Sequence, residues 1–84
     1  MVTKNQIKLV KSLQQKKYRS QHKLFVVEGK KVVEELLEAR LKPYKLFVED
    51  IKCIDYEEVE LVSSSELRQM SSLNTPNGVL GVFF

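Results

Sequence analysis

A run of basic side chains around one tyrosine has the clearest chemical potential in this sequence. It comprises Lys16, Lys17, Tyr18, Arg19, His22 and Lys23. Lysine attracts phosphate as a point charge, and arginine adds a planar fork that binds phosphate through two donors. A tyrosine ring is a flat surface on which an unpaired base stacks. The run predicts contact with single-stranded or irregular RNA; the alternative is a solvated basic loop with Tyr18 anchored in the core.

A second candidate lies where a strand is predicted to pass into a helix, and it consists of Glu28, Gly29, Lys30 and Lys31. Backbone N–H groups at a helix start attract phosphate, and Gly29 would let a nucleic-acid backbone approach closely. The alternative is a tight turn in which Glu28 caps the helix. Residues 74–78 form a third polar segment, for which a simple connecting turn is the preferred interpretation.

Residues that could support catalysis within the chain are few. His22 is the one histidine and has no acid or cysteine near it in sequence, so a metal site or a histidine-based triad is not expected. Cys53 is the one cysteine; we interpret it as a half-buried filler beside Ile51 and Ile54, in a protein of the reducing cytoplasm. The three glycines are far apart and form no phosphate-binding loop. The sequence therefore favours a binding module over an enzyme.

Charge is divided unevenly along the 84 residues, although the net charge is only +3. Residues 1–31 carry nine basic side chains and one acidic side chain, whereas residues 32–84 carry five basic and ten acidic ones. This asymmetry favours a polyanion-binding end. No apolar run approaches the roughly 20 residues that a membrane span requires, and the N-terminus lacks the apolar segment of a secretory signal.

The elements that must position these residues follow from hydrophobic periodicity. Amphipathic helices are predicted over 4–15 and 30–41, separated by a basic loop over 14–23 and a strand over 24–27. Further strands are predicted over 44–48, 59–62 and 79–84. Thr3 and Ser63 begin capping boxes, the second of which opens a short helix that buries Leu67 and Met70.

This alternation predicts an α/β fold, a small three-layer α/β/α sandwich whose four-stranded sheet is mostly parallel. The strand at 24–27 is expected to be buried on both faces. The residues expected in the core are Leu24, Val26, Leu46, Val48, Leu61, Leu80 and Val82. Because the sequence stops within an apolar strand, we expect more protein beyond Phe84.

A series of short motifs along the chain resembles, in its residues and its order, the N-terminal substrate-binding domain of the SpoU (TrmH-like) RNA ribose 2′-O-methyltransferases. The resemblance extends over nearly the whole chain. It is carried by Ile7-Lys8, Leu13, Lys17-Tyr-Arg19, Phe25-Val-Val-Glu-Gly-Lys30, Val32-Val33, Leu46-Phe-Val48, Val62-Ser63, Glu66-Leu67, Met70-Ser71, Thr75-Pro76, Gly78-Val-Leu80 and Val82-Phe83. Relatives often have alanine where Gly81 stands, a difference expected to matter little.

The resemblance implies that residues 1–84 are an RNA substrate-binding domain with the fold of ribosomal and kink-turn-binding RNA proteins. It implies a knotted catalytic domain after residue 84 that binds S-adenosylmethionine, methylates ribosomal or transfer RNA, and forms a homodimer. Catalytic and cofactor-binding residues would lie in that domain and not in this chain. Two alternatives remain: a free-standing kink-turn-type RNA-binding protein, and a protein-interaction domain that uses the acidic residues 49–60.

Overall fold

Four helices and four strands make up the part of the chain that the computed structural model describes, residues 2–84. The helices are α1 (Lys4–Ser12), α2 (Lys16–His22), α3 (Lys30–Glu38) and α4 (Ser64–Met70). The strands are β1 (Phe25–Glu28), β2 (Pro43–Val48), β3 (Glu60–Leu61) and β4 (Val79–Phe83). None of these helices is long and apolar enough to cross a lipid bilayer.

The strands form one sheet in the order β1-β4-β2-β3. The central strand β4 is antiparallel to both of its neighbours, and only β2 and β3 pair in parallel. The prediction of a mostly parallel sheet is therefore wrong, because the sheet is mixed.

The length of α4 explains the reversed direction of β4. Its seven residues span about 10 Å, whereas the six residues of β2 span about 20 Å, so α4 does not carry the chain back along the sheet. The chain enters β4 beside the carboxyl end of β2, where Val79 pairs with Val48. Just outside the strands, the Glu49 N–H donates to the Gly78 carbonyl at 3.1 Å. A central strand that is covered on both faces is a continuous apolar run whether it is parallel or antiparallel to its neighbours. Its composition therefore does not indicate its direction.

Helices cover both faces of the sheet, and each face has its own core. On one face α1 and α4 pack against the sheet; this core includes Val10, Leu13, Leu67, Met70, Phe47, Leu80 and Val82. On the other face α3 packs through Val33, with Leu46, Val48, Val79 and Phe83 below it. Successive residues of β4 alternate between the two cores, as the pleat of a strand requires.

Two residues predicted to be buried lie at the edges of the sheet instead. Leu61 is 55% exposed because β3 is a two-residue edge strand, and its neighbour Val62 enters the core in its place. Val26 is only half-buried because β1 is the other edge strand. The prediction that β1 is buried on both faces is therefore wrong. Leu24, Leu46, Val48, Leu80 and Val82 are buried as expected.

The predicted helix starts are confirmed, and the ends fall earlier than expected. Both capping boxes form, with the Thr3 hydroxyl accepting from the Gln6 N–H and the Ser63 hydroxyl accepting from the Glu66 N–H, each at 3.1 Å. The α1 helix ends at Ser12 rather than residue 15. The α3 helix ends at Glu38 rather than residue 41, since Arg40 turns the backbone into the left-handed region at φ 64°.

Candidate nucleic-acid interface

The basic run forms helix α2, and the prediction of a loop over 14–23 is wrong in this respect. No residue of α2 is fully buried, so the helix produces no apolar period in the sequence. Glycine and proline are absent from residues 14–23, and lysine, arginine and glutamine are good helix formers. This helix propensity indicated a helix, but the absence of an apolar period favoured the prediction of a loop.

Arg19 joins α2 to the end of α1. Its Nη1 donates to the carbonyl oxygens of Leu13, at 3.0 Å, and Gln14, at 2.9 Å. Both carbonyls lie just beyond Ser12, where an α-helix leaves acceptors without partners. Arg19 is half-buried, so it is only in part the exposed phosphate ligand that the sequence predicts.

The other basic side chains of α2 and its C-terminal cap face solvent. Lys16, Lys17 and His22 are exposed, as is Lys23, which ends the helix in the left-handed conformation at φ 57°. Tyr18 is half-buried, and the Lys17 Nζ lies 5.0 Å from the centre of its ring. One face of that ring is thus already in contact with a cation. Helix α2 therefore presents four cationic or titratable side chains to solvent with one aromatic ring beside them.

The Glu28 carboxylate makes hydrogen bonds that neither interpretation of residues 28–31, a phosphate-binding turn or a helix cap, predicted. Its Oε1 accepts from the Ser71 hydroxyl at 2.5 Å, and its Oε2 accepts from the Ser72 N–H at 3.0 Å and the Ser72 hydroxyl at 3.2 Å. These bonds join the end of β1 to the segment after α4. The first residues of α3 receive no side-chain cap, so the alternative of Glu28 as a helix cap is wrong.

Gly29 is buried rather than open to a ligand. Its φ of 109° favours glycine, and a β-carbon there would lie 3.2 Å from the Asn77 side-chain nitrogen. The Asn77 side chain lies beside Gly29 in this structure, and contact between a nucleic-acid backbone and Gly29 stays a prediction. The neighbouring Lys30 and Lys31 are exposed at the start of α3.

A groove of about 400 Å³ brings α2 and the end of β1 together. We call it the Arg19 groove. Its apolar floor is formed by Leu13, Val26 and Met70, and its polar rim by Gln14, Arg19 and Glu28. Ser72 and Leu73 complete one wall. The structure thus places Arg19 and Glu28 in one site, whereas Lys30 and Lys31 do not line it.

The groove residues outside the basic run were missed by sequence reasoning. Leu13, Val26 and Met70 look like ordinary core positions in the sequence, and only the packing of α1, β1 and α4 brings them to one side of a groove. Within residues 2–84, no group of three or more histidine, cysteine or acidic side chains is arranged to hold a metal ion.

These features describe a mixed α/β domain with a cationic helix beside a groove that has an apolar floor. The chain belongs to the family of MRM3-like substrate binding domains, whose profile matches residues 4–81. The resemblance predicted from the sequence motifs is confirmed. No curated protein matches the chain.

Solved structures with the same fold include a protein of Porphyromonas gingivalis assigned to the TrmH family of RNA methyltransferases. It is 30% identical, with a TM-score of 0.85 over 99% of this chain. An rRNA methyltransferase from Sinorhizobium meliloti (24% identity, TM-score 0.81) and an RNA 2′-O ribose methyltransferase (22%, 0.80) share the fold over the same 99%. The chain corresponds to 34–35% of the length of each of these proteins.

Proposed function

We propose that this chain is the RNA substrate-binding domain of an S-adenosylmethionine-dependent ribose 2′-O-methyltransferase that acts on ribosomal or transfer RNA. The observation that carries the proposal is helix α2, which presents Lys16, Lys17, His22 and Lys23 to solvent. Membership of a substrate-binding family and the likeness to RNA methyltransferases support it. The alternatives of a free-standing RNA-binding protein and of a protein-interaction domain have no comparable support.

The methyl-transfer chemistry belongs, in this proposal, to another part of the parent enzyme. S-adenosylmethionine would be bound there, and the parent would act in the cytoplasm as a homodimer. None of the glycines of this chain lines the grooves described for residues 2–84, so its residues do not fit the phosphate- or cofactor-cradling loop that glycines form. We therefore expect calorimetry to detect no S-adenosylmethionine binding to these 84 residues, and micromolar binding would contradict the proposal.

RNA binding by α2 is expected to be mainly electrostatic. The flexible, solvated lysines attract phosphates without fixing a base sequence. We expect a dissociation constant in the non-specific range, roughly 10⁻⁴–10⁻⁶ M at physiological salt. Lys30 and Lys31 at the start of α3 would add to the attraction.

The test is the double variant Lys16→Ala/Lys17→Ala, measured by fluorescence anisotropy with single-stranded RNA at several salt concentrations. Loss of two phosphate contacts should flatten the slope of log K against log salt by about 1.4. A matched control is Lys42→Ala/Lys52→Ala, which removes the same charge from exposed lysines outside α2. Equal effects of the two double variants would mean that α2 is an ordinary solvated surface, and the proposal would be wrong.

Tyr18 contributes to this surface in one of two ways that a variant separates. If its ring stacks on a base, Tyr18→Ala should weaken RNA binding by about 1–3 kcal/mol with little loss of stability. If the ring anchors α2, the melting temperature should fall instead. The half-burial of Tyr18 and the contact with Lys17 make both readouts necessary.

A further inference from the structure

We infer that the Arg19 groove holds one unpaired base of the RNA while the lysines of α2 hold the flanking phosphates. This inference rests on the proposed RNA-binding function and adds a specific subsite to it. It assigns a ligand-binding role to Val26 and Leu73, which lie outside the basic run.

The floor of the groove suits a flat aromatic ring. Leu13 and Met70, each only 1% exposed, close the bottom of a space of about 400 Å³, which is within the range of small-ligand sites. These two residues belong to the packed core, so the bottom is fixed before any ligand arrives, and the accessible apolar surface comes from the half-buried Val26 and from Leu73, which is 43% exposed. A base that leaves the stack in single-stranded RNA would bury one face against these side chains.

The rim supplies hydrogen-bonding groups for the polar edge of a base. Within residues 2–84, Arg19 Nη1 makes the only hydrogen bonds of that guanidinium, so Nη2 and Nε remain available as donors. The Glu28 carboxylate accepts three hydrogen bonds, which leaves capacity for about one more. A donor and an acceptor on one rim match the mixed edges that bases display.

Charge favours a base over a phosphate as the occupant. Glu28 and Arg19 place opposite charges on the rim, so the groove carries no net positive charge to attract a phosphate. Lys16 and Lys17 are exposed and follow the groove residue Gln14 within three positions along the chain. The neutral part of a nucleotide therefore fits the groove, and its charged part fits α2.

The test compares a single-stranded RNA hexamer with a hexamer of the same ribose phosphates that lacks all bases. Fluorescence anisotropy should show the base-bearing hexamer binding about 5- to 150-fold more tightly, as expected for one stacked base. Leu73→Ala, which removes part of the groove wall, should reduce that ratio about threefold or more. Leu41→Ala is the matched control, because Leu41 is similarly exposed (39% against 43%) and does not line the groove.

Methyl NMR gives a second readout that does not depend on a variant folding. Base-bearing RNA should shift the methyl resonances of Val26, Met70 and Leu73, whereas the abasic hexamer should shift only the signals of α2. The inference would be overturned if the base-bearing and abasic hexamers bound equally tightly, or if Leu73→Ala left the ratio of their affinities unchanged. If Lys16→Ala/Lys17→Ala still weakens binding in that case, the proposed function survives alone; if neither hexamer binds, both fail.

Discussion

Arg19 is expected to stabilise the domain more than it contributes to RNA binding. The sequence places it in an exposed basic run, where replacing Lys16, Lys17 and Arg19 together should change stability by less than about 1 kcal/mol. The structure changes that expectation, since Arg19 is half-buried and bridges two carbonyls at the end of α1.

The size of the effect follows from the two hydrogen bonds. Bonds to a charged group contribute about 1.5–3 kcal/mol each when well shielded. One of the Arg19 bonds is solvent-exposed, and both carbonyls would be rehydrated after its removal, so we expect Arg19→Ala to cost about 1–2 kcal/mol in total. For a domain of this size that loss lowers the melting temperature by about 4–16 °C.

Arg19→Lys separates the two roles of the side chain. Lysine keeps the positive charge that attracts RNA but lacks the planar fork, so this variant should lose most of the roughly 1–2 kcal/mol that Arg19 contributes to stability, and only the part of the RNA affinity that depends on its donors in the Arg19 groove. Lys17→Ala should instead weaken RNA binding and leave the stability nearly unchanged. Thermal unfolding followed by circular dichroism and anisotropy with RNA measure the two effects. If Arg19→Ala unfolds within 0.5 kcal/mol of the parent and weakens RNA binding as Lys17→Ala does, the bridging role is refuted.

Three further stability predictions follow from the packing, each measured by urea unfolding. Glu28→Ala should cost about 1–3 kcal/mol, because it removes three hydrogen bonds to the segment after α4, and Glu28→Gln should cost less. Ser63→Ala should cost about 0.5–2 kcal/mol through loss of the α4 cap, whereas Ser65→Ala should be nearly neutral. Gly81→Ala should cost about 1–3 kcal/mol, because its β-carbon would lie 2.7 Å from Phe83 Cε1; a double variant with Phe83→Leu that shows no recovery would contradict this reason.

At Gly81 the packing predicts a loss of stability on substitution by alanine, whereas the sequence comparison predicted that this difference would matter little. Gly81 lies at the centre of β4, where Leu46 and Val33 are each 3.2 Å from the place of an added β-carbon. A sequence shows that a residue is glycine, but the space around it is set by strands and helices distant in the chain. The cost of a side chain is therefore visible only in the fold.

Features that depend only on residues near one another in the chain could be predicted from the sequence. Capping boxes at Thr3 and Ser63 depend on residues three positions apart, so they are readable without a fold. Helices α1 and α3 have one apolar face, and their period identified them in the same way. The family could also be predicted, because its motifs are short stretches in a fixed order.

The direction of β4 and the groove beside Arg19 depend on tertiary packing and could not be predicted from the sequence. The direction of β4 depends on the end of the sheet at which the chain lies after the short helix α4. No local sequence pattern indicates that position. Helix α2 is an intermediate case, because its residues are good helix formers but none of them is fully buried, so no apolar period marks it in the sequence. The groove joins residues from both ends of the chain, among them Leu13 and Met70, so it exists only once the sheet and helices have packed.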